Sequence, residues 1–81
     1  MVLDNTALGL TSREREIVGL VTVGLSAKEV AIRLSIAPCT VERHIENVRL
    51  KTRTRNRAHM VAYVIFNGLV GDNIIAQAAV H

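Results

Sequence analysis

The segment Ser26 to Lys51, SAKEVAIRLSIAPCTVERHIENVRLK, leaves few folds open, because it spells two short helices separated by a tight apolar corner. Ser26 and Glu29 form a capping box: the serine oxygen accepts a free first-turn amide, and the glutamate reaches back to the serine's own amide. A helix therefore starts there, with Val30, Ala31 and Leu34 as its buried stripe and Lys28 and Arg33 left for solvent or a polyanion. Ser35, Ile36 and Ala37 make the corner, with Ile36 as the apolar plug. Pro38 suits the first turn of the next helix, where a missing amide hydrogen costs nothing. Val41, Ile45 and Val48 repeat at helical spacing and face inward. Glu42, Arg43, Glu46, Asn47 and Arg49 must then look outward. Two helices in this order are a helix-turn-helix, which points to duplex DNA.

A chain of 81 residues is one domain with a modest core, so marginal stability is expected unless a partner or a second copy helps. Its residues are 49% hydrophobic but only 2% aromatic, which describes a packed aliphatic helical domain, an all-α fold, rather than a disordered tail. The formal net charge of +3 favours an anionic partner without identifying it. The distribution says more: Arg43, Arg49, Lys51, Arg53, Arg55 and Arg57 crowd the end of the second motif helix and the loop after it.

Outside the motif, Met1 to Leu10 carry no helical stripe and read as a flexible lead or a linker stub. The ordered domain is expected over 11–69 and a tail over 70–81. Thr11 with Glu14 makes another capping box, followed by Ile17, Leu20 and Val21 on a helix over roughly 12–23 that stops at Gly24. Asn56 caps a fourth helix. Its inward stripe is expected to be Ala58, Val61, Ala62, Ile65 and Leu69. Met60 and Val64 then form a second apolar edge, available to another subunit. Asn67 and Gly68 offer a stop, and Ile74 to Val80 suit another short helical turn or a loose end.

Several chemistries find no support. A single cysteine, Cys39, excludes an internal disulfide, and no Cys/His set has zinc spacing, so no metal and no cofactor is expected. The longest apolar run, Val61 to Phe66, is far too short to cross a bilayer, so no membrane partner is expected and a soluble, cytoplasmic setting is the default. No phosphate-cradling glycine loop and no paired nucleophile and base suggest an enzyme. His44 beside a buried stripe reads as a packing and hydrogen-bonding residue, Cys39 as a small tolerated one, and His59 and His81 as surface residues. Tyr63 and Phe66 lie on a predicted packing helix and leave no aromatic platform for single-stranded RNA.

The segments LTSRERE, GLSAKEVAIRL and TVERHIENV, in this order and spacing, resemble the LuxR-type (NarL-type, GerE-like) helix-turn-helix domain from Leu10 to Leu69. The resemblance implies a four-helix domain whose third helix enters the major groove and whose fourth gives a two-fold contact, hence a homodimer on double-stranded DNA. It also implies a bacterial, nucleoid-associated transcriptional regulator, with contact to RNA polymerase as a further option. Carried across by position, Glu42, Arg43 and Glu46 lie nearest the base edges. Thr40, Lys28, Arg49, Lys51 and Arg57 take phosphates.

Relatives often carry Arg or Lys where this chain has Glu42 and Glu46. A carboxylate accepts from cytosine N4 but repels phosphates, so an altered site preference or weak isolated binding is expected. Each acid could instead pair with Arg43 or Arg49 on the helix surface. Three more departures stand out. Ala37 replaces a serine or threonine cap, at a cost of about 1 kcal/mol. Thr52 replaces a core leucine, leaving open whether its methyl or Leu50 fills the space. Arg53 stands where glycine often ends the helix. Two other functions stay open: a short relative that pairs with a full-length regulator and blocks it, and the promoter-reading region of a sigma factor.

Overall fold

The computed structural model describes residues 9–69, and among these it forms α1 (Ser12–Thr22), α2 (Ala27–Leu34), α3 (Pro38–Thr52) and α4 (Arg57–Phe66), with no strand. Residues 1–8 and 70–81, with the expected tail and short turn over 74–80, lie outside the described residues. Among the described residues no helix is long and apolar enough to cross a membrane.

Local chemistry accounts for the helix starts. In the first capping box the Thr11 hydroxyl accepts from the Glu14 amide at 3.0 Å, and Glu14 Oε1 accepts from the Thr11 amide at 2.9 Å. The second repeats this between Ser26 and Glu29 at 3.1 and 2.8 Å. α3 starts from Ala37 without a side-chain cap but with Pro38 in its first turn, and α4 starts where Asn56 Oδ1 accepts from the His59 amide. Gly24 ends the α1 corner at φ +104°, which glycine adopts without a Cβ clash.

α2 and α3 end differently, on Ser35 and Arg53, both left-handed at φ 58°. A residue with a Cβ is strained there by about 1 kcal/mol. Arg53 is exposed and makes no ion pair among the described residues. Arg53→Gly is therefore expected to stabilise the domain by about 1 kcal/mol. A higher denaturant midpoint at unchanged slope would show it, and an unchanged or lower midpoint would contradict it.

The core joins Ile17, Val18, Leu20 and Val21 of α1, Ala27, Val30 and Ala31 of α2, Val41, Ile45 and Val48 of α3, and Met60 and Val64 of α4. The inward stripes expected on the first three helices are those observed, with Leu34 only partly buried. Leu10 joins this core at 3% exposure, so the lead read over 1–10 gives up its last residue to the domain. No periodic pattern includes that residue, and only tertiary packing recruits it.

On α4 the expectation is reversed. Met60 and Val64 are 0% exposed and face the chain's own core, not a second subunit. Ala58, Ala62 and Ile65 of the expected inward stripe are exposed, while Val61 and Leu69 are half-buried. The cause is that α4 is apolar on nearly every side, so periodicity does not choose an edge, whereas contact with both α1 and α3 does. The outward apolar edge consists of Ala58, Ala62, Ile65 and Phe66, the last 94% exposed.

Thr52 fills the place of the expected leucine without an unsatisfied hydroxyl. It donates to the Val48 carbonyl at 2.9 Å and shares a 2.9 Å hydrogen bond with the buried Thr54 hydroxyl. Leu50 takes no part and stays exposed.

Candidate nucleic-acid interface

α2, the corner Ser35 to Ala37 and α3 form the helix-turn-helix, with the two helices packed on one another. Burial of Val41, Ile45 and Val48 on one side of α3 turns Glu42, Arg43 and Glu46 to the surface, where all three are exposed. Arg43 makes no hydrogen bond or ion pair through its side chain among the described residues. Lys28, in the first turn of α2, is exposed and, like the half-buried Thr40 hydroxyl, has no side-chain partner among the described residues. These groups are free to meet a ligand.

The two acids are not free. Glu46 accepts from Arg49 through both oxygens, at 3.1 Å from Nε and 2.6 Å from Nη2. That hydrogen bonding holds the Glu46 carboxyl below its ordinary pKa and raises Arg49 above its own. The third arm of Arg49, Nη1, donates to the Thr54 carbonyl at 2.6 Å, so the guanidinium ties the end of α3 to the loop after it. Glu42 Oε1 accepts from Arg57 Nη2 at 2.7 Å, an ion pair joining α3 to α4 across fifteen positions of sequence. The Glu46 pair has helical i, i+3 spacing and was open to sequence reasoning. The Glu42 pair has no local signal, because Arg57 reaches it only through the packing of α4.

Lys51 departs most from its expected role at a phosphate. Its ammonium donates to Glu14 Oε1 at 2.7 Å and to the Gly9 carbonyl at 2.8 Å. The Glu14 side chain is only 4% exposed. Burial pushes the Glu14 carboxyl up, but hydrogen bonds from Lys51 and the Thr11 amide, with the charges of Lys51 and His44, outweigh it and leave the pKa lowered. Lys51 is thus a structural cation that fastens α3 to the start of α1. Its partner lies 37 positions away, beyond the reach of any spacing rule. His44 is half-buried as expected beside the core, but its Nδ1 is buried with no hydrogen-bond partner among the described residues.

An exposed face on α3 that carries Arg43, with α3 packed on α2, defines a helix-turn-helix module of the nucleic-acid-binding type. The family model GerE, described as bacterial regulatory proteins, luxR family, matches residues 8–64, and the chain belongs to this family. It is 37% identical over 67 residues to the "Probable transcriptional regulator ycf29" of Cyanophora paradoxa, a match covering 83% of this chain and 32% of that protein. It is 39% identical over 61 residues to the transcriptional regulatory protein MctR of Rhizobium johnstonii, covering 75% and 28%. With the transcriptional regulatory protein FixJ of Rhizobium meliloti the identity is 37% over 59 residues, covering 73% and 29%. The chain spans about three-tenths of the length of these relatives.

Proposed function

We propose that this chain reads duplex DNA for a transcriptional regulator by laying α3 in the major groove. The observation that carries the proposal is the outward face of α3, where Arg43 stands exposed and unpaired between the inward stripe and the flanking cations. A guanidinium there can donate two hydrogen bonds to guanine O6 and N7. Glu42 and Glu46 are the side chains able to accept from cytosine N4. Lys28 and Thr40 meet phosphates, fixing the register of the helix without reading sequence. The outward edge of α4, Ala58, Ala62, Ile65 and Phe66, is the surface on which a second copy would pack, setting two reading helices about one helical turn apart.

The test is fluorescence anisotropy of labelled duplexes across a salt series. Affinity is expected to fall as salt rises, with a log–log slope of about 0.9 for each phosphate contacted. Lys28→Ala is expected to weaken every duplex alike and to flatten that slope by about one contact. Binding that ignores salt, or is absent in dilute buffer, would overturn the proposal.

One observation favours a second reading. Both acids on the reading face are held in ion pairs, while Ile65 and Phe66 stand bare on α4. A chain so built would also serve to pair with a full-length regulator and keep it from DNA. Failure to bind any duplex, together with stable association with such a relative, would select it.

A further inference from the structure

The two ion pairs on the reading face are built differently. Arg49 is pinned by three hydrogen bonds, two to Glu46 and one to the Thr54 carbonyl, and its side chain is 26% exposed. Among the described residues Arg57 has a single partner, one oxygen of Glu42, and is 44% exposed against 55% for that glutamate. Arg57 is also the first residue of α4, at the positive end of the helix dipole, where a cation gains nothing from the helix. Arg49 is therefore fixed, and among the described residues Arg57 is held by Glu42 alone.

Resting on the duplex-DNA reading above, we infer that Glu42 and Arg57 form a partner-exchange latch that makes one phosphate contact conditional on the base facing Glu42. Paired with Glu42, Arg57 presents a neutralised charge to a phosphate, and it acts at full charge only by leaving that carboxylate. The freed carboxylate then faces a polyanion with its charge unpaired, which is unfavourable on most sequences. An exocyclic amino group at the groove floor reverses this, since cytosine N4 presents a donor that a carboxylate accepts. Glu42 then exchanges Arg57 for the base, and Arg57 exchanges Glu42 for the backbone. On other sequences the pair stays closed, and both non-specific affinity and its salt slope are smaller than the count of surface cations implies. Glu42 is thus a specificity-determining residue that acts on the wrong duplexes as well as the right one.

The test is a double-mutant cycle on the intact chain with Glu42→Gln, Arg57→Gln and both together, circular dichroism confirming the fold of each. Anisotropy is read across salt on a duplex recovered by selection from a random pool and on an unrelated duplex. Glu42→Gln is expected to strengthen binding to the unrelated duplex several-fold and to steepen its salt slope by about 0.9, while lowering the ratio of site to non-site affinity. In the Arg57→Gln background the same substitution is expected to leave the slope unchanged. Equal strengthening in both backgrounds would mean simple removal of a negative charge and would overturn the latch while leaving DNA binding intact. Absence of duplex binding by every variant, the wild type included, would overturn the DNA reading itself and the latch with it.

Discussion

Glu14→Ala is expected to destabilise this domain by about 2–4 kcal/mol, among the largest effects of any single side chain outside the aliphatic core. The carboxylate is almost wholly buried and has two tasks. It accepts from the Thr11 amide to complete the capping box of α1, and it receives the Lys51 ammonium from α3. Its removal leaves Lys51 with only the Gly9 carbonyl, and an ion pair broken on one side costs more than the pair contributes, because the remaining charge stays partly desolvated. Lys51 keeps 34% of its side chain in solvent, which places the expectation toward the lower part of the range for buried pairs. For a domain of this size each kcal/mol shifts Tm by about 4–8 °C, so thermal unfolding should move by tens of degrees at most and about ten at least. Glu16→Ala, which breaks only the exposed pair with Arg13, should change stability by no more than about 0.5 kcal/mol. Equal effects at Glu14 and Glu16 would contradict the structural role of Lys51.

The same pair sets a pH dependence whose sign follows from linkage. The Glu14 pKa is lowered in the folded state, so the folded chain binds fewer protons at this site than the unfolded chain does. The stabilisation is present above the ordinary glutamate pKa and is lost as pH falls through the lowered value. The stability gap between wild type and Glu14→Gln should therefore close in acid, while the rest of the acid response is shared.

Arg43→Ala is expected to narrow sequence preference rather than abolish binding. A bidentate contact to guanine distinguishes it from other bases by about 1–3 kcal/mol, or roughly 5- to 150-fold in affinity ratio. The variant should lose about that factor of its preference for the selected site and keep the share that Glu42 supplies. The fold should not change, because Arg43 has no partner among the described residues to lose. Lys28→Ala should do the opposite, lowering affinity for all duplexes and preserving their ratio. Equal, modest losses for both variants on every duplex would contradict this division of roles. Lys51→Ala belongs with Glu14 and not with Lys28: its loss of DNA binding should follow its loss of folded protein.

How much of this was legible in advance depends on the range of each interaction. Capping boxes span three positions, helix stripes three or four, and the Glu46–Arg49 pair three, so the starts of α1 and α2, the inward faces of α1 to α3 and the pinning of Glu46 could be read from neighbouring letters. Arg43 as the exposed centre of the reading face came from the same stripe, seen from its other side. The interactions that redefined the interface are longer. Lys51 was expected at a phosphate until Glu14 and Gly9 claimed it from the far end of the domain. Arg57 was expected there too, and in this structure it is paired with Glu42.

The amino-acid sequence by itself determined the helices, their order, the corner between α2 and α3, and which side of α3 is exposed, because each depends on chemistry within a single turn or two. Tertiary structure alone decided which edge of α4 is core, bringing in Met60 and Val64 and leaving Ile65 and Phe66 outside. It also decided which cations near α3 are held by carboxylates. A helix apolar on nearly all sides carries no orientation of its own, and a long cationic side chain takes whichever carboxylate the fold brings within reach.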